Sequence, residues 1–194
     1  RIRERGEITL SCVEGGAELE GRSLSALARD AGQDDVDYLF DMLAAHAGRA
    51  LAIYHWPDSI DGDAILRRTI AHPLYIGSTD GIYMGSRPHR SGFGTFARIV
   101  GEHVRGGTLT LEQAVHKVTG LPAERFSLGD RGRIEVGRAA DITVFDPATL
   151  ADRSTWEGGR VSPSGIVHVL VNGEAVVTDG VPTGRLPGRI VGRS

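Results

Sequence analysis

The chain has 194 residues, 40% of them hydrophobic and 24% charged, with a formal net charge of −3. That is enough for one domain with a sizeable core, and the balance excludes a polycationic nucleic-acid binder. No run of about 18 apolar residues is present, so no membrane-spanning helix is expected. The single cysteine, Cys12, excludes an internal disulfide and fits a cytoplasmic protein. The opening segment Arg1–Gly6 is charged and does not begin with Met; it is expected to follow further sequence.

In chain order, Glu7–Val13 alternates apolar residues at Ile8, Leu10 and Cys12 and reads as a short strand. Ser23 is a plausible N-cap for a helix to about Asp30, stopped at Gly32. A second helix follows over about Asp34 to Ala47, with Val36, Leu39, Phe40 and Leu43 on one apolar face. Ala50–His55 is an almost unbroken apolar run, short enough for a buried parallel strand. Asp61–Ala71 is expected to be helical with Ile65, Leu66 and Ile70 inward, and Leu74–Gly77 to be the next strand. Strand, helix, strand makes a βαβ unit, with Ser78-Thr79-Asp80-Gly81 at the end where α/β folds gather their chemistry.

Beyond the Gly-, Arg- and His-rich loop Ile82–Gly92, a helix is expected from about Thr95 to Val104. Thr110 and Gln113 have the spacing of a capping box, opening a helix with Leu111, Ala114, Val115 and Val118 on its apolar face. Pro122 lies in the first turn of a short helix, Leu121–Phe126. From Gly129 the texture becomes β-rich. Arg133–Val136 and Asp141–Phe145 read as strands, and Val167–Val171 and Glu174–Thr178 flank Asn172-Gly173, a strong hairpin signal. The organisation is therefore a helix-rich α/β part, residues 1–128, and a β-rich tail, residues 129–194.

His72-Pro73 through Ile76-Gly77-Ser78-Thr79-Asp80-Gly81 resembles the last barrel strand of the D-aminoacylase (N-acyl-D-amino-acid deacylase) group of metal-dependent amidohydrolases. Pro88-His89-Arg90 with Gly94-Thr95-Phe96 resembles a second segment of that group, and Glu20-Gly21-Arg22-Ser23-Leu24 a third. Leu111–Val115, Leu121–Ala123, Asp130–Ile134 and Gly137–Asp146 resemble the tail shared by the wider amidohydrolase superfamily. Ser78-Thr79-Asp80 has one residue more than the group's usual Ser-Asp-Gly, and His89-Arg90 lacks an intervening proline.

The resemblance implies an α/β fold: the last strands and helices of a (β/α)₈ metal-dependent hydrolase barrel, plus part of a small β-sandwich. It implies zinc as cofactor and a small N-acyl amino acid as substrate. The zinc ligands would come mainly from sequence upstream of Arg1, in the missing N-terminal part of the same protein, so that this chain alone would be inactive. No nucleic acid or membrane partner is implied.

Amide hydrolysis needs an activated water and a proton shuttle to the leaving amine. Asp80 is the candidate shuttle, and the one residue here that could also touch a metal; Asp80-Gly81 is equally an ordinary turn after a strand. Arg90 matches a substrate carboxylate in a bidentate pair, or is a solvated loop arginine. Of the histidines, His55 at a strand end and His89 beside Arg90 are the candidates to line the pocket. No two histidines have the His-x-His spacing, and Cys12 reads as a strand cysteine. Two further readings stay open: a cyclic-amide hydrolase of the dihydroorotase or hydantoinase kind, and a non-catalytic piece that only packs with a partner chain. Apolar strands with open edges are expected to make the isolated chain aggregation-prone.

Overall fold

The computed structural model describes residues 6–57, 59–156 and 158–192. The chain divides into two compact units that interleave in sequence. The first takes the chain up to Ile65 with Asp80–Gly92 and Ser154–Arg160; the second takes Leu66–Thr79, Phe93–Arg153 and the chain from Val161 onward. The expected boundary at residue 128 falls inside the second unit.

In the first unit, β1 (Glu7–Val13) pairs with β2 (Ala50–His55). The pairing is antiparallel, with a bulge between Leu10 and Cys12, so the parallel reading of β2 is corrected. A short apolar run fits either direction. The period-two signature of a one-faced strand is present instead, with Ile53 buried and Tyr54 exposed. Helix α1 (Leu24–Asp30) begins at Ser23, whose Oγ accepts the Ala26 N–H, and Gly32 beyond it takes a left-handed φ of 68°. Helix α2 (Asp35–Ala45) is capped by the Asp34 carboxylate on the Val36 N–H. Leu10, Val13, Leu27 and Met42 form the buried cluster, with Tyr38, Leu39 and Leu43 against it. The apolar face expected for α2 is therefore rotated: Val36 and Phe40 are 52% and 64% exposed.

Helix α3 (Gly62–Ala71) starts in the first unit and ends in the second. Ile70 is buried there as expected, whereas Ile65 and Leu66 are exposed. Leu74–Gly77 is not a strand. Its backbone groups bond elsewhere instead, Tyr75 N–H to the nearby His72 carbonyl and Gly77 N–H to the distant Lys117 carbonyl. A Cβ at Gly77 would lie 2.8 Å from the Val118 side chain and 3.2 Å from that of Ile99, so the backbone here lies directly against both. Among the described residues both sheets are wholly antiparallel, and the expected βαβ unit does not form.

The second unit is organised by a continuous helical run. Helix α4 (Ser91–Ala97) passes through a π-helical stretch, Arg98–Glu102, into α5 (His103–Arg105). Helix α6 (Leu111–Val118) opens with the expected Thr110–Gln113 capping box, and α7 (Gly120–Arg125) follows. The core is Ile70, Ile99, Val100, Leu109, Ala114 and Leu150 with Ala97, and Leu111, Val115 and Val118 pack against it. Lys117, the only lysine in the chain, is buried there. Its Nζ donates to the His72 carbonyl at 2.6 Å and lies 5.8 Å from the Tyr75 ring centre. Burial holds its pKa below the ordinary lysine value.

The remaining strands, β3 (Ile142–Phe145), β4 (Ile166–Val171), β5 (Glu174–Thr178) and β6 (Val181–Pro182), form one antiparallel sheet in that order. Asn172 and Gly173 have φ of 49° and 84°, the left-handed pair that a two-residue hairpin turn requires. Arg133–Val136 is not a strand, a further correction: Ile134 and Val136 are exposed and unpaired with the sheet. The β6 pairing was missed in the sequence, although Asp179-Gly180, with φ of 51° and 75°, is a hairpin turn of the same kind.

Candidate active site

All four residues singled out from the sequence, His55, Asp80, His89 and Arg90, belong to the first unit. His55 is placed by β2, and His89 and Arg90 by the way the loop 82–92 is fastened to β1. The bulge turns Ser11 inward, 5% exposed, and its Oγ donates to the Arg87 carbonyl at 2.7 Å. The Glu20 carboxylate accepts the Val13 N–H at 2.9 Å and the Ser86 N–H at 2.8 Å. Those Ser86 and Val13 donors hold its pKa below the usual carboxylate value. Gly85, at φ 76°, lets the loop lie against β1, since a Cβ there would meet the Ser11 carbonyl at 2.3 Å. From the far side of the sequence, Arg160 Nη2 donates to the Tyr83 and Gly85 carbonyls at 2.8 and 3.1 Å.

Thus fastened, the loop brings His89 and Arg90 to the indole of Trp156. The His55 and His89 rings approach it edge-on, with centroids at 5.0 and 5.2 Å. The Arg90 guanidinium lies 5.5 Å from its centre as a cation–π contact. A cavity of about 240 Å³ is lined by Glu7, Thr9, Ile53, His55, Arg87 and Trp156, with Gly21 completing its wall. His55 Nε2 sits 3.2 Å from Thr9 Oγ1. His89 Nδ1 accepts the Ser91 N–H at 3.1 Å, so the neutral ring carries its proton on Nε2. Burial, and then the neighbouring His55, push the His89 pKa below the ordinary histidine value. Asp80 is exposed and has a left-handed φ of 43°, the conformation of a turn residue that carries its carboxylate outward.

Three contributors were missed in the sequence. Glu20 stood inside a quoted motif without a role, and its two N–H contacts now supply one. Trp156 carried one signal, an isolated indole in a Ser-, Thr- and Gly-rich stretch. Arg160 carried none. Cys12 keeps its reading as a strand cysteine: burial, then the charge of Glu20, raise its pKa and keep it a thiol. Among the described residues no group of three or more His, Cys, Asp or Glu side chains is arranged to hold a metal ion, so these residues do not fit a zinc site by themselves.

The fold falls within one class of protein. Residues 11–177 match the amidohydrolase family, and the chain belongs to it. Over 177 residues, 91% of its length, the chain is 41% identical to an N-acyl-D-glutamate deacylase of Alcaligenes xylosoxydans xylosoxydans, of which it covers 34%. A crystal structure of D-aminoacylase, described as defining a novel subset of amidohydrolases, matches with a TM-score of 0.88 at 36% identity, over 97% of this chain and 38% of that one. The N-acyl-D-glutamate deacylase of Bordetella bronchiseptica, solved with zinc and a phosphonate mimic of the tetrahedral intermediate, matches with a TM-score of 0.80 at 35% identity, over 93% and 38%. The chain therefore spans 34–38% of the length of these relatives.

Proposed function

We propose that this chain is part of a cytoplasmic, zinc-dependent amidohydrolase that hydrolyses the amide bond of N-acyl-D-amino acids. The observation that carries the reading is the convergence of His55, His89 and Arg90 on one indole, beside a cavity and on a fastened loop. The likeness to deacylases along nearly the whole chain supports the substrate class. Residues 1–128 would complete the end of a (β/α)₈ barrel, and residues 129–194 part of a small β-sandwich. The zinc ligands belong to the remaining length of such a protein, and this chain by itself is inactive.

In this reading the planar fork of Arg90 pairs with the substrate carboxylate and fixes the scissile amide in place. Asp80 takes a proton from the attacking water and returns it to the leaving nitrogen, which departs as the free amine of the D-amino acid. His55 walls the pocket, while His89, expected to do the same, packs on the Trp156 indole beside it. The His89 pKa lies below the ordinary histidine value through burial and the neighbouring His55, which favours the neutral ring against the indole.

The test uses the protein encoded by the whole reading frame that contains this chain, zinc-loaded, on N-acyl-D-amino acids, their carboxamides and cyclic ureides. Release of the free D-amino acid is expected, with cyclic ureides untouched. Ring opening of a ureide without deacylation would overturn the reading in favour of a dihydroorotase- or hydantoinase-like enzyme. Stoichiometric zinc tightly held by the isolated chain would contradict the placement of the ligands.

A further inference from the structure

We infer that Trp156 is the residue that positions Arg90 for the substrate carboxylate, an inference that rests on the deacylase reading of the same site. An arginine side chain has many rotamers, and holding its fork on a carboxylate costs conformational entropy unless something has already fixed it. Trp156 is placed to do that. Its ring faces the Arg90 guanidinium at 5.5 Å, and the same ring is held edge-on by His55 and His89. The indole is thus gripped from two separate elements, β2 through His55 and the loop through His89, and it presents a flat, preorganised face to the cation.

The segment that carries the indole is anchored to the same loop. Gly159 lies so close to Pro88 that a Cβ there would meet the Pro88 carbonyl at 2.5 Å, and Arg160 holds the Tyr83 and Gly85 carbonyls. Trp156 also lines the cavity with His55, Thr9 and Arg87. One side chain therefore both orients the cation and forms part of the wall next to it. This is a positioning role: the indole acts on the substrate carboxylate through Arg90.

The experiment compares Trp156→Phe, Trp156→Ala and Arg90→Lys in the zinc-loaded enzyme, on an N-acyl-D-amino acid and on its carboxamide. Loss of a cation–π support is expected to raise KM for the acid by about 3- to 30-fold in Trp156→Ala. Trp156→Phe, which keeps an aromatic face, should recover part of that. The kcat for the acid should change less than its KM, and the rise in KM should be clearly smaller for the carboxamide, which loses only the cavity wall. Equal losses on acid and carboxamide, or no recovery with Phe, would overturn the positioning role. If Arg90→Lys itself leaves KM unchanged, the deacylase reading of Arg90 fails. If Arg90→Lys raises KM and Trp156→Ala does not, only the inference about Trp156 fails.

Folding of the variants is checked separately by circular dichroism and the thermal midpoint. The emission of Trp156, taken as the difference between the enzyme and Trp156→Phe, gives a further readout. Binding of the N-acyl-D-amino acid should change that emission and binding of the carboxamide should not. Equal responses to the two ligands would count against the coupling of the indole to the carboxylate site.

Discussion

In the second unit, apolar side chains from α3, the π-helical stretch, α6 and the loop before Leu150 close into one buried cluster. The first unit buries a smaller set around Leu10 and Met42, yet it carries every candidate site residue. Its loop is held by polar contacts as well as by the buried Pro88: Ser11, Glu20 and Arg160 bind backbone groups directly. Packing of side chains is close but non-directional, whereas a directed hydrogen bond fixes where the next side chain points. The difference teaches that here stability and chemistry draw on different residues, so they can be perturbed separately.

The largest separation is expected at Asp80. Asp80→Asn should lower turnover of the zinc-loaded enzyme by about 10²–10⁴-fold, the usual contribution of a general acid–base group. KM and the thermal midpoint should hardly move, since the side chain is exposed. Steady-state hydrolysis beside a melting curve reads both, and an unaltered turnover number would remove Asp80 from the mechanism.

Leu150→Ala should do the opposite. Leu150 is 2% exposed within the second unit's cluster, and such a truncation costs about 2–5 kcal/mol. Urea unfolding would register the loss while kcat of the folded fraction stays put. A large fall in kcat without destabilisation would break the division between the units.

A smaller effect is expected from His89. Its pKa is depressed in the folded state by burial and by His55. The unfolded chain therefore takes up a proton first, near the ordinary value of about 6.5. Its contribution to stability is complete above that pH and is lost as pH falls toward the folded value. The thermal midpoint should drop between pH 7.5 and 5.5, and less steeply in His89→Gln. Parallel curves for the two proteins would refute the depressed pKa.

The smallest effect belongs to α2. Phe40→Ser, at a position 64% exposed, should change stability by no more than about 0.5 kcal/mol. A loss of several kcal/mol would show that something covers this face in the protein studied.

Helix α2 also shows where sequence reading runs out. Both α2 and α6 have apolar residues at helical spacing, and both have recognisable caps. In α6 the expected face is the packed one. In α2, Leu39 and Leu43 pack while Val36 and Phe40 stay exposed, because spacing identifies an apolar stripe without saying which part of it meets a neighbour. Asn172-Gly173 was legible because a left-handed pair dictates those residues, while the equivalent Asp179-Gly180 was overlooked. Strands were less so: Ala50–His55 was found but its direction was not, and Leu74–Gly77 found no ladder. Of the site, the motif residues were legible one by one. Their meeting point on Trp156 was not, because it joins positions far apart in sequence, and no local pattern encodes a long-range contact.

The burial of Lys117 has a consequence for anyone handling the molecule. The chain offers a single ε-amino group, and the fold keeps it against the His72 carbonyl and out of solvent. Amine-directed coupling, whether to a dye, a bead or a cross-linker, therefore has no lysine to use on the folded surface. The same reagent becomes a clock under mild denaturation. Each acylated Lys117 marks a molecule in which the end of α6 has let go, and the mass added to the peptide that carries Lys117 counts how many have done so.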